Sequence, residues 1–235
     1  MASDAVAGDG ARPRSHRERL RQVTLADIRA AALRQVREHG AQALSLRAVA
    51  REVGMSNPGL YRYYASRDEL LTALVAEAFD ALAAALERAR DARPDADVAE
   101  RLRAVALGYL DWALAHPVEF HLVFGTPVPG YAAPADGPTV AAAARFGSVF
   151  VDLVAEAWRT GTRPDPPFEV PDPLPGAPDP GAAVALARMW TRLHGIVALA
   201  LPGHLHQVGL DDAGVRRLYR AETDQLLAEL RLPLR

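Results

Sequence analysis

Apolar residues recur along this chain at helical spacing, without convincing runs at the alternating spacing of strands. The stretch 45–70, SLRAVAREVGMSNPGLYRYYASRDEL, is the richest in local signals. Leu46, Val49, Ala50 and Val53 fall at i, i+3, i+4 and i+7, one face of a short helix. Ser45 stands before it as an N-cap and Gly54 after it as a left-handed terminator, with Met55 placed to plug the corner. Ser56 caps a second short helix with Pro58 in its first turn, where a missing N–H costs nothing. Leu60 and Tyr64, four apart, turn one face inward. That leaves Asn57, Gly59, Tyr61 and Arg62 outward or at the N-terminal tip. Ser66-Arg67-Asp68-Glu69 is a capping box opening a third helix. Two short helices around a tight turn predict a helix-turn-helix, whose second member enters the DNA major groove.

The flanking pattern predicts an all-α chain. Thr24 and Asp27 form a capping-box-like pair, so the first helix is expected to begin after Thr24, to bury Leu25, Ile28, Ala32 and Val36, and to end at Gly40. Leu70, Leu71, Leu74, Val75 and Ala78 predict a long helix reaching about Arg90. Further helices are predicted from Val98 to Ala115, from Pro117 through Phe120 and Phe124, and from Val140 to Thr160, with a Gly/Pro stretch over 125–138. Residues 161–181 hold eight prolines, too many for a helix, and predict a long loop. The last two helices are expected over 182–201 and 211–231. Residues 1–20 are expected as a basic arm, 21–68 as the DNA-binding domain and 69–235 as a helical body.

Composition sharpens this picture through charge. Residues 11–67 carry 12 arginines against 4 acidic residues, a net of +8, whereas the whole chain is at −2. A basic head on an acidic body suits a protein that grips a polyanion at one end. Arg12, Arg14, Arg17, Arg19 and Arg21 precede the first predicted helix, and an arm of this kind can track phosphate or enter the minor groove. All 27 basic residues are arginine. There are no cysteines, so disulfides, thiolate metal sites and cysteine nucleophiles are excluded. No uninterrupted apolar run of ~18 residues indicates a membrane span, and a cytoplasmic location is expected.

The residues of 20–75 resemble the DNA-binding domain of the tetracycline-repressor-like (TetR/AcrR) family of bacterial regulators. Its pattern is roughly Gly-Val-Ser-x-x-x-Leu-Tyr-x-His-Phe-x-Ser-Lys-Glu-Glu-Leu. This chain has Gly54-Met55-Ser56, then Leu60-Tyr61, Tyr63-Tyr64 in place of His-Phe, and Ser66-Arg67-Asp68-Glu69-Leu70. Met189 to Gly195, MWTRLHG, resembles the Trp-His-Gly signature of one C-terminal domain class in that family, helped by Tyr109, Trp112 and His116-Pro117 upstream. The resemblance implies a helical body that binds an effector and dimerises through its last two helices. Two recognition helices about one DNA turn apart, ~34 Å, would then read a near-palindromic double-stranded operator.

Within that frame Arg47, which the family points at the groove, can take guanine O6 and N7 together, and Asn57 can pair with adenine N6 and N7. Ser45, Ser56 and Tyr61 offer hydroxyls to phosphates and Gly59 permits close backbone approach. Pro58, Arg62 and Tyr63 complete the expected DNA-facing set. Arg67, a cation beside a helix N-terminus, opposes the helix dipole and suggests a phosphate partner. In the body, Tyr109, Trp112, Phe120, Phe124, Phe150, Trp158 and Trp190 suggest an apolar pocket as a set, although each alone is ordinary core. His194 is then the polar group placed to orient a small apolar effector. No cofactor is implied. His204-x-His206 lacks a carboxylate or cysteine at ligand spacing, so no metal site is expected. No phosphate-binding loop, dinucleotide fingerprint, zincin motif or nucleophile elbow is present, which argues against an enzyme. The alternative is a small-molecule carrier or enzyme-like helical protein with a vestigial DNA-binding head.

Overall fold

A computed structural model describes residues 16–160 and 177–231. Arg12 and Arg14 of the expected arm, and most of the proline-rich stretch (161–176), lie outside the described residues. The chain separates into two units, Met1–Leu70 and Leu71–Arg235. All regular structure among the described residues is helical.

In the first unit, α1 spans His16–His39, so it starts well before Thr24. The capping-box reading of Thr24 is corrected by its hydroxyl, which donates to the Leu20 carbonyl at 3.0 Å from within the helix. No glycine or proline interrupts residues 16–39, and Gln22 bonds Glu18 one turn back at 2.9 Å. Hence Arg17, Arg19 and Arg21, expected on the arm, stand on the first turns of α1. Ile28, Ala31, Ala32 and Val36 are buried as a stripe, with Leu25 half-buried. Gly40 ends the helix at φ 80, followed by a tight 3-10 turn over Ala41–Ala43.

The helix-turn-helix follows as α2 (Leu46–Glu52) and α3 (Asn57–Tyr61). The Ser45 hydroxyl accepts from the Ala48 N–H at 3.5 Å and the Ser56 hydroxyl from the Gly59 N–H at 3.2 Å. Gly54, at φ 71, turns the chain between them, and the Met55 N–H closes back on the Ala50 carbonyl at 2.8 Å. Helix α4 (Arg67–Asp91) opens on a Ser66 cap. Ser66 Oγ accepts from the Glu69 N–H at 3.0 Å, and the Glu69 carboxylate accepts from the Ala65 N–H, one residue before the cap, at 2.6 Å.

The second unit takes the rest of α4, then α5 (Val98–Ala115), α6 (Pro117–Phe124) and α7 (Pro138–Thr160). Helix α5 is the hub, packed against α6, α7 and the final helix α11 (Asp212–Glu229). Its Leu102, Val105, Ala106, Tyr109, Leu110 and Ala113 are buried along one broad face. The segment expected as one helix over 182–201 is built in three pieces. These are α8 (Pro180–Met189), a π turn over Trp190–His194 and α9 (Gly195–Ala200). A short α10 (His204–Gln207), which the periodicity did not predict, follows the Pro202-Gly203 turn, where Gly203 adopts φ 81.

Gly54→Ala tests the turn. A Cβ there meets nothing within 4 Å, so the penalty is conformational rather than steric. Placing alanine in the left-handed region should destabilise the head by about 1–2 kcal/mol in denaturant titration.

Candidate functional site

The DNA-facing candidates divide by exposure. Arg47 in the first turn of α2, Asn57 and Pro58 at the start of α3, and Tyr61 and Arg62 at its end are all exposed. Tyr61 is a large ring left 55% exposed, while Leu60 beside it is fully buried and Tyr64 nearly so. The helix is thus anchored by one face and presents the other to solvent. Ser45 and Ser56 already hold caps, and Gly59 serves the second of these, because a Cβ there would stand 3.1 Å from the Ser56 hydroxyl. Tyr63 is half-buried under the Arg21 guanidinium, 5.5 Å from its ring centroid, which links the start of α1 to the recognition segment.

Arg67 corrects the expectation made for it. Its Nε donates to the Leu44 carbonyl at 3.2 Å, and its Nη2 to the carbonyls of Ala41 at 2.9 Å and Gln42 at 3.3 Å. Nη1 meets Asp68 at 3.1 Å. The cation that opposes the α4 dipole is held by the carbonyls of the turn before α2, and needs no phosphate to account for it.

The second unit contains a cavity of about 940 Å³. Its wall takes Phe79 from α4, Tyr109 from α5, Phe124 from α6, Phe146 and Phe150 from α7, Met189 from α8, Trp190 and His194 from the π turn, and Tyr219 from α11. Two of these rings, Trp190 and His194, stand four apart on the π turn and stack at 4.4 Å between centroids and 19° between planes. Phe120 covers the imidazole from behind at 5.5 Å and 22°. His194 Nδ1 is hydrogen bonded to the Tyr109 hydroxyl at 2.8 Å. Burial pushes the His194 pKa below its ordinary 6.5 and the Tyr109 phenol upward, so the pair is neutral at neutral pH.

Of the aromatic set read from sequence, Tyr109, Phe124, Phe150, Trp190 and His194 line the cavity. Phe120, Trp112 and Trp158 do not, and these three expectations are corrected. Phe120 is 3% exposed in the layer behind His194. Trp112 stacks on His116 at 5.1 Å. The Trp158 indole donates to Asp179 Oδ2 at 2.8 Å, beside the start of α8. Sequence reasoning missed Phe79, Phe146, Met189 and Tyr219 as wall residues. Phe146, Met189 and Tyr219 each stand in an apolar helical stripe, which marks them as inward-facing without assigning them to a cavity. His206 engages Asp212 at 3.0 Å, and no group of three potential metal ligands occurs among the described residues. No helix among them is long and apolar enough to cross a membrane.

Residues 28–74 match the family model described as bacterial regulatory proteins, tetR family, and residues 102–226 match the tetracyclin repressor-like C-terminal domain. The chain belongs to the TetR family. Among similar proteins, the HTH-type transcriptional regulator Rv1816 of Mycobacterium tuberculosis is 35% identical over 210 residues, covering 84% of this chain and 88% of that one. The crystal structure of the regulatory protein SCO4313 superposes with a TM-score of 0.73 at 36% identity, over 91% of this chain and all of the other. PfmR, a TetR-family regulator from Thermus thermophilus, shares the fold at a TM-score of 0.59 and 20% identity, over 86% and 97% of the two chains. This TetR-family chain is therefore a DNA-binding transcriptional regulator and not an enzyme.

A pH dependence follows from His194. Its folded-state pKa lies below the unfolded value of about 6.5, so the unfolded chain takes up this proton first on acidification. The stability tied to neutral His194 is complete above about pH 6.5 and is lost as pH falls from there toward the folded pKa. Thermal melting across this window should fall less steeply in His194→Gln than in the parent.

Proposed function

We propose that this regulator is a homodimeric repressor that acts in the cytoplasm and leaves a near-palindromic operator when a small apolar effector enters the body. The observation that carries this reading is the aromatic cavity of about 940 Å³, within the size range of small-molecule sites. It lies in a chain whose other unit presents an exposed recognition helix. At the operator, Arg47 reads guanine and Asn57 reads adenine from the major groove. Ser45, Ser56, Tyr61, Arg62 and Tyr63 take phosphate or sugar, with Pro58 and Gly59 shaping the close approach of the α3 N-terminus. Arg17, Arg19 and Arg21 add a basic edge that tracks the backbone.

Dimerisation uses the last helices. Leu199 and Val208 are left 47% and 73% exposed there, apolar surface that a second copy would cover. One five-residue recognition helix reads few bases, and a two-fold partner doubles the site. The effector acts by binding one conformer of the body better than another, and it can shift the balance only by that difference in affinity. Helix α4 is the element through which this is felt. It begins in the head, and its Phe79 forms part of the cavity wall.

Two outcomes test this reading. With DNA selected from random pools, Arg47→Ala should weaken binding by ~1–3 kcal/mol at one base position and relax preference there. A uniform loss on every sequence would make Arg47 a phosphate contact instead. Trp190→Ala removes a wall residue stacked on His194, so it should blunt effector-driven release from that DNA and also lower the melting temperature.

A further inference from the structure

His194 is held at Nδ1 and open at Nε2. Trp190 and Phe120 stack on its imidazole at 4.4 and 5.5 Å between centroids, and Phe124 meets it edge-on at 5.1 Å. Tyr109, Phe124 and Trp190 are themselves wall residues, so the ring of His194, and not its backbone alone, borders the open volume. Nδ1 is bonded to the Tyr109 hydroxyl at 2.8 Å. Nε2 has no hydrogen-bond partner among the described residues. It is also not one of the buried polar atoms left without a partner, a set that includes the Tyr219 hydroxyl of the same wall. Nε2 therefore keeps accessible surface where that hydroxyl is sealed.

The partner on Nδ1 decides which nitrogen carries the hydrogen. The Tyr109 phenol is 2% exposed, and its hydrogen has no acceptor among the described residues other than Nδ1. Were Nδ1 protonated, the phenol hydrogen would be buried without a partner, which costs more than the bond itself returns. The phenol therefore donates and Nδ1 accepts. Burial keeps the imidazole neutral, and a neutral imidazole has one N–H, which then stands on Nε2. The open nitrogen is a donor.

We infer that the His194 Nε2–H donates into the cavity, and that the effector brings an uncharged hydrogen-bond acceptor to it, a carbonyl or ether oxygen on an otherwise apolar body. This deepens the reading of the cavity as the effector site and rests on it. A pure hydrocarbon would cover the N–H without bonding it. A carboxylate would give up its hydration for a neutral donor rather than for a cation. The stacked rings fix the plane of the imidazole in advance, so the acceptor is selected by position as well as by kind.

The test uses the full chain. Nitrogen NMR of the unliganded parent at neutral pH, with the His194 ring assigned through its bonds to the backbone, should show hydrogen on Nε2 and none on Nδ1. Hydrogen on Nδ1 overturns the assignment. Probes built on naphthalene, phenanthrene, steroid and dodecyl bodies are then offered as acetyl, isopropenyl and carboxylate derivatives, the first two differing only in oxygen for methylene. By calorimetry, the acetyl member of a body that binds should be roughly three- to tenfold tighter than its isopropenyl twin. It alone should move the Nε2 proton downfield. His194→Asn has a shorter amide that keeps an oxygen for Tyr109 and withdraws the donor, so in this variant the preference should fall to about twofold or less. Equal affinity of the twins in the parent, a carboxylate preference, or an acetyl preference kept in His194→Asn overturns the assignment while leaving the cavity as a binding site. The NMR and the ranking within the parent decide the matter even if the variant folds poorly. Binding of no probe to the parent overturns the effector-site reading, and the assignment with it.

Discussion

Helix α5 must keep one broad face dry, and the body is arranged to meet that demand. Leu102, Val105, Ala106, Leu110 and Ala113 lie along that face, and α5 packs against α6, α7 and α11. The Tyr109 hydroxyl is a polar atom within it. Taken out of water it requires a partner, and the partner is His194. His194 stands on a π turn, where the helix departs from regular winding at Trp190–His194. The π turn between α8 and α9 thus supplies the partner of a phenol buried on the central helix. The two rings carried by that turn form part of the wall of the open volume beside them.

The head works under the opposite constraint. Helix α3 has five residues, too few to be stable alone, so it is held by its ends and by one face. Ser56 caps it, Leu60 and Tyr64 bury beneath it, and Gly54 sets the corner before it. Its buried anchors lie on the inner side, which leaves the outer side to solvent. Arg67 serves this scaffold as well, since its guanidinium binds three carbonyls between Ala41 and Leu44.

Much of this was legible in the sequence where the determinant was local. Caps, left-handed glycines and i, i+3, i+4 stripes are properties of a few adjacent residues, and they placed α2, α3 and the Ser66 cap of α4 correctly. Thr24 misled because threonine before an apolar stripe looks the same whether it caps a helix or bonds backward inside one. The charge of Arg67 was read against the helix dipole alone, because its carbonyl partners stand more than twenty residues away. The cavity was legible only as an aromatic surplus. Periodicity marks a residue as inward-facing, but cannot say whether the space it faces is filled. Trp112, Trp158 and Phe120 were inward-facing like the others, and they met His116, Asp179 and His194 instead of the cavity.

The clasp between Trp158 and Asp179 has a consequence for the length of chain between them. The Asp179 carboxylate holds the indole N–H near the end of α7 with one oxygen and caps α8 at the Ala182 N–H with the other. The polypeptide therefore departs from one helix and rejoins the next at a fixed gate. Lengthening a connection between two tethered points has only a shallow entropic penalty, growing with the logarithm of its length. So long as the clasp is kept, a change in the number of residues between Trp158 and Asp179 alters the closure entropy only slightly.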